Sequence, residues 1–165
     1  VYVLGYLAIN FMLFTLVYKG GETLNFVGFS LNGRGFIWKR AIESFFNSPI
    51  YGYGVHGVLI KVFWSAWTDD GQGMNYLHNQ ILQVLNDGGS ILLLAFIIMM
   101  LSVFKKLDEI RNEKIHFWIA SFCMIFMTVM LFESTMEYFY AYFIFCTLNC
   151  LPDLIRKKEI KDSEL

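Results

Sequence analysis

The sequence predicts an all-α integral membrane protein with about four transmembrane helices and one large loop, which bears an amphipathic helix, between the first two spans. Three observations lead there. Charged residues make up 16% of the 165 positions, against roughly a quarter in ordinary soluble domains. Hydrophobic residues make up 56% and aromatics 18%. The apolar residues are gathered into long blocks, where a soluble fold would disperse them along half-buried helices. A net charge of −1 gives no reason to propose nucleic acid as a partner. Cys123, Cys146 and Cys150 all lie inside apolar runs, without a metal spacing or a disulfide framework.

Residues 1–18 form the first span. A helix of that length covers about 27 Å, slightly short of a bilayer's hydrocarbon core, and Asn10 is its only strongly polar side chain. The run has no basic leader and no small-residue cleavage site, so it reads as an interior span and the chain as the C-terminal part of a longer protein. Residues 19–77 are too long for an idle connection. Asn32-Gly33 is a turn, followed by a helix over 34–46 with an apolar ridge of Ile37, Ala41 and Phe45, flanked by Trp38 and Ile42. Such a helix suits the membrane interface, and Asn47-Ser48-Pro49 stops it. Pro49 to Gly54 and His56-Gly57 form a glycine-punctuated turn region, and Asp69 to Gly73 a second turn.

Residues 78–104 combine a polar helix head with the second span. Asn75, Asn79, Gln83 and Asn86 recur at spacings of four, four and three, with His78 beside Asn79. A stripe of amides and an imidazole at a membrane boundary is expected to line a wet cavity, because burying such groups without partners is costly; a polar helix cap with one satisfied histidine is the alternative, preferred for His78 taken alone. Residues 105–114 are a short charged loop, 115–132 and 136–151 two further spans, and 152–165 a basic tail.

Lysine and arginine placement orients the chain. Lys105, Lys106, Arg111 and Lys114, and the tail's Arg156, Lys157, Lys158 and Lys161, belong on the cytoplasmic side. Two crossings separate these groups. Glu133 and Glu137 therefore sit at an outer turn, where capping the hairpin is preferred over lining the cavity, and His78 with the whole 19–77 loop lies outside. Tyr138, Tyr140 and Tyr142 read as an interfacial belt.

An external loop with Asn32-Gly33-Arg34-Gly-Phe-Ile-Trp38, then Pro49-Ile-Tyr-Gly52-Tyr-Gly54, then His78-Asn79 with Gly89 opening a span, resembles the C-terminal half of the bacterial O-antigen ligase and polysaccharide polymerase family. The resemblance covers roughly Asn32 to Phe104. One departure is Leu92, where the ligase motif expects a small residue or Tyr three positions after the glycine. The resemblance implies a metal-independent membrane glycosyltransferase without a cofactor. Its donor would be a glycan on undecaprenyl diphosphate at the outer face of the bacterial cytoplasmic (inner) membrane. Its acceptor would be another lipid-linked glycan (polymerase) or a lipid core (ligase).

Displacing a diphosphate needs positive charge where negative charge develops, and guanidinium offers bidentate phosphate contacts. Arg34, in the first helical turn, is the first candidate, with Arg40 a weaker one for substrate binding. The acceptor hydroxyl needs a base, and a positioned imidazole supplies about 10²–10⁴ in rate. His78 is the candidate, with an alternative role as a cation on the diphosphate. His56, Asn79 and Gln83 are candidate substrate-binding residues, and His116 sits at the cytoplasmic edge. Asp69-Asp70 before Gly71 reads as a turn, so no metal is proposed. The preferred reading is a polysaccharide polymerase acting on lipid-linked glycans within membrane lipids, with O-antigen ligase the alternative. A flippase for the same lipids would place charges within its spans, which are nearly charge-free here; a non-catalytic scaffold would not need His78 or Arg34.

Overall fold

In the computed structural model, which describes residues 2–20, 25–26, 29–30, 34–55, 57, 76–135 and 139–163, the chain is built from helices. They are α1 (Tyr2–Gly20), α2 (Arg34–Asn47), α3 (Gln80–Leu107), α4 (Glu113–Met130) and α5 (Phe139–Ser163). Between α1 and α2, β1 (Asn25–Phe26) and β2 (Phe29–Ser30) pair antiparallel, too short to build a layer. The protein is all-α. Among the described residues, α1, α3 and α4 are long and apolar enough to cross a membrane.

The fourth run expected to cross, 136–151, falls at the start of α5, which is not among those three, and residues 136–138 lie outside the described residues. The apolar part of α5, Phe139 to Leu151, spans only about 20 Å as a helix before a charged stretch begins. Where the sequence places a span ending at 151 and a separate basic tail, α5 continues through Pro152 to Ser163. Pro152 costs the helix one backbone bond, but the turn beyond it is tied down. Lys106 Nζ at the end of α3 donates to Asp153 Oδ2 at 2.9 Å and to the Asn149 carbonyl at 2.9 Å. Arg156 pairs with Glu109 in the α3–α4 connection.

Two apolar clusters hold the helices together. The larger joins α1, α3, α4 and α5 through Val3, Tyr6, Phe96, Met100, Met127 and Phe145. Within it the Phe145 ring stands edge-on to Phe96 and Phe126, with centroids 6.3 and 5.3 Å apart. The smaller joins α1, α2 and the head of α3 through Val17, Ile37, Trp38, Ala41, Leu77 and Leu82. The ridge that sequence periodicity assigned to the membrane interface thus packs inward at Ile37 and Ala41, with its third member Phe45 half-buried.

α3 contains a sharp break. Gly89 has φ 62° and ψ −157°, a conformation essentially confined to glycine. Against that break lies the Pro49–Gly54 turn. Tyr53 N–H donates to the Asn86 carbonyl at 2.7 Å, and Gly54 N–H to the Asp87 carbonyl at 2.8 Å. Ser90 N–H and Oγ both donate to the Pro49 carbonyl, at 2.8 and 2.7 Å. The kink frees backbone groups of α3, and the turn supplies their partners. Both glycine-bearing motifs therefore meet at one backbone junction, which fixes the head of α3.

Candidate active site

The head of α3 begins with an asparagine cap. Asn79 has extended backbone, φ −160° and ψ 124°, and its Oδ1 accepts from Leu82 N–H at 2.9 Å. Its Nδ2 donates to Asn10 Oδ1 of α1 and to the Leu131 carbonyl after α4, both at 2.9 Å. One fully buried amide thus ties α1, α3 and the α4–α5 connection together. Gln83 Oε1 accepts from Leu77 N–H at 2.8 Å, and its Nε2 donates to both Asp87 carboxylate oxygens at 3.0 Å. Asn86 Nδ2 donates to the Ala41 carbonyl of α2 at 3.2 Å and to the Leu82 carbonyl at 2.9 Å.

The amide stripe that was expected to line a wet cavity is therefore buried in protein at Asn79, Gln83 and Asn86. Its polar groups meet backbone and neighbouring side chains, which satisfies them where sequence reasoning assigned water or substrate. A period-four stripe has the same spacing whichever partner it faces, so the pattern alone does not separate the two.

His78 stands just ahead of this cap with φ 52°, uncommon for a residue with a side chain. It is held on both sides. Trp38 Nε1, fully buried on α2, donates to the Leu77 carbonyl at 3.0 Å. The Tyr76 ring lies edge-on to the imidazole, centroids 4.5 Å apart. The reversal sends the imidazole toward the segment after α4, where Glu133 sits. That segment is stitched to the same cap: Asn79 N–H donates to Ser134 Oγ at 3.3 Å, and Thr135 Oγ1 to Gln80 Oε1 at 3.4 Å.

Glu133 brings the two principal candidates together. Its Oε1 accepts from Arg34 Nη2 at 2.9 Å, and its Oε2 from His78 Nδ1 at 3.1 Å. Arg34 is the first residue of α2, and His78 and Glu133 are 55 positions apart in the chain. The side chains of Arg34, His78 and Glu133 are 31%, 13% and 35% exposed, so the triad is partly sheltered. At that exposure an ion pair contributes about 0.2–1 kcal/mol, so its chief effect is geometric. An ionised carboxylate only accepts, so Nδ1 carries the proton, and in the neutral ring Nε2 bears the lone pair. Such a ring can take a proton from a hydroxyl, beside a guanidinium able to bind an anion.

The other candidates fall elsewhere. Arg40 is exposed on α2, 3.7 Å from Glu43 and over the Phe36 ring at 5.7 Å. His116 faces Asp108 at 3.7 Å, at the far end of α3 from His78. His56, Asn75 and Asp69-Asp70 lie outside the described residues. Among the described residues no group of three or more His, Cys, Asp or Glu is arranged to hold a metal. Sequence reasoning offered Glu133 two places, in the cavity lining or as a cap of the outer hairpin, and preferred the cap. The available signal was topological: it is an acid at the end of a hairpin, on the same side as His78.

No curated protein matches the chain, and no solved structure does. Residues 1–97 match the family model described as O-antigen ligase. That match takes in the first span, the glycine turn, the head of α3 and its kink. On the strength of a match over more than half its length, the chain belongs to the O-antigen ligase family.

Proposed function

We propose that the protein transfers a glycan from a polyprenyl-diphosphate carrier, of the undecaprenyl diphosphate type, to a sugar hydroxyl on another lipid-linked unit. It acts at the outer face of the bacterial cytoplasmic membrane. The family is one of membrane glycosyltransferases of ligase or polymerase type, so glycan transfer is the coarse activity, and the donor and acceptor are the finer reading. The observation that carries it is the meeting of Arg34 and His78 on the two oxygens of Glu133.

In the reaction the acceptor oxygen attacks the anomeric carbon of the donor. The bond from that carbon to the diphosphate oxygen breaks, and its electron pair leaves with the diphosphate. His78 Nε2 takes the acceptor proton, while Arg34 faces the charge growing on the leaving diphosphate. Proton release to solvent or to the departing diphosphate restores the neutral ring. An apolar cleft of about 360 Å³ between α1, α2 and α3, with Phe11, Phe14, Ile42 and Phe45 in its walls, reaches Leu82 in the first turn of α3. It suits a hydrocarbon chain attached to such a donor. Lys105, Lys106, Arg111 and Lys114 gather at the opposite end of α3 from His78, which supports an outward-facing site.

The preference for a polymerase rests on Leu92, which stands over Gly88 so closely that a Cβ there would meet the Leu92 Cβ at 2.4 Å. The test is the surface glycan ladder and lipid-linked pool of cells carrying His78→Ala or Arg34→Ala. A polymerase loses long chains and accumulates single units outside. A ligase retains long chains on the carrier but not on the lipid core. Unchanged ladders in both variants defeat the reading, and units trapped on the inner face favour a flippase.

A further inference from the structure

We infer that Glu133 is a positioning residue for the transfer: it fixes the tautomer of His78 and, with the same carboxylate, holds Arg34 within reach of the same reacting centre. The inference rests on the function proposed above and adds a residue from a part of the chain beyond the region matched to the family.

The geometry is specific. A carboxylate facing Nδ1 admits only the proton-bearing nitrogen, so the lone pair falls on Nε2 and the ring cannot flip without losing its partner. The second oxygen is occupied by Arg34 Nη2, which stops the carboxylate from rotating away from the histidine. The backbone beneath it is fixed independently, because Ser134 and Thr135 are buried and bonded to Asn79 and Gln80. His78 meanwhile holds a left-handed conformation that the residues around it must sustain. Strain on the imidazole side and two bonds on the carboxylate side both serve one orientation of one ring. A cap for the hairpin needs none of this; Ser134 and Thr135 already stitch the turn.

As imidazolium forms, Glu133 stabilises it by charge, while its other oxygen holds the Arg34 guanidinium, a five-donor group suited to a diphosphate. Glutamine at 133 has the same shape, but its amide donates from one side. If its oxygen serves His78, its NH₂ meets Arg34, which has no acceptor. If reversed, the NH₂ donates to Nδ1 and forces the proton onto Nε2, the wrong tautomer for taking the acceptor's proton.

The experiment uses the full chain in lipid nanodiscs with ¹⁵N-labelled histidine, His78 being assigned by its loss in His78→Gln. At a pH where the ring is neutral, the wild type should show a protonated Nδ1 and an unprotonated Nε2. In Glu133→Gln this distribution should shift toward protonated Nε2, and glycan assembly in cells should fall about 10²-fold or more. Glu133→Asp, which keeps the charge, should recover part of the activity and the native tautomer. A wild-type ring protonated on Nε2 overturns the inference, and this holds even if Glu133→Gln fails to fold. So does a folded Glu133→Gln whose glycan output stays within about threefold of wild type, whichever tautomer it holds. If His78→Ala abolishes transfer while Glu133→Gln does not, only the positioning role falls; if His78→Ala and Arg34→Ala are both active, the proposed function itself falls.

Discussion

Replacing Gly89 by alanine should be among the most damaging single-methyl changes in the protein. A Cβ at this position would meet the Ile50 carbonyl oxygen at 2.2 Å, its carbon at 2.3 Å and the Tyr51 nitrogen at 2.7 Å. All three are backbone atoms, so no side chain can rotate aside. The conformation of Gly89 costs an alanine about 1–3 kcal/mol before any clash is counted. Relieving the clash means lifting the Pro49–Gly54 turn off α3, which loses Tyr53 N–H to Asn86, Gly54 N–H to Asp87 and Ser90 N–H to Pro49. At about 1 kcal/mol net for each bond, the whole comes to roughly 4–6 kcal/mol. The assay is denaturant unfolding in detergent micelles, run beside two controls. Gly54 also has positive φ, +82°, but among the described residues no heavy atom lies within 4 Å of its Cβ position, so Gly54→Ala should cost only about 1–2 kcal/mol. Gly5 has nothing within 4 Å and lies within α1, so Gly5→Ala should be neutral or stabilise by up to about 1 kcal/mol. Equal stability of Gly89→Ala and Gly54→Ala would refute the account of the kink as a docking point.

Three further outcomes are expected. Asn79→Ala removes a cap worth about 1 kcal/mol and takes the donor from Asn10 Oδ1 and the Leu131 carbonyl, each costing about 1–3 kcal/mol; a melting temperature equal to wild type would contradict this. Trp38→Phe leaves the Leu77 carbonyl without its indole donor in a buried site, which should destabilise by about 2–4 kcal/mol and also reduce transfer, since His78 follows directly; full activity in a folded variant would sever that link. The Lys106 ammonium beside Asp153 holds its carboxyl below the ordinary value of 3.8, helped by Arg156 and Lys157. The stabilisation is therefore complete above that ordinary value and is lost as pH falls through the lower folded one. The stability difference between wild type and Asp153→Asn should be flat across neutral pH and vanish only in strong acid. A difference that changes near neutrality would show another group at work.

Composition and blocked hydropathy led directly to an all-α membrane protein, because lipid admits few ways of satisfying backbone polar groups. Local motifs were legible too, since each depends on neighbours in the chain. Arg34 does open a helix, and Gly52 and Gly54 do mark a turn, both with positive φ, whereas Gly89, read as opening a span, breaks α3 part-way along. Misreadings arose where a residue's meaning depends on what lies across from it. The stripe of Asn79, Gln83 and Asn86 has one spacing whether it faces water or protein, and here it faces the Ala41, Leu77 and Leu131 backbone. The ridge of α2 is equally apolar toward lipid and toward Val17. Pro152 does not end α5, because ion pairs from α3 and its connection secure the following turn.

Residue types and their local order therefore identified a membrane enzyme and its two principal candidates, since periodicity, turn chemistry and hydropathy are properties of short stretches. The partnership among those candidates belongs to three helix ends that meet only on folding. Glu133 reaches Arg34 across 99 positions and His78 across 55, distances over which a linear chain imposes no geometry. Packing of α2 and α4 against the head of α3, where Asn86 bonds to Ala41 and Asn79 to Leu131, creates it.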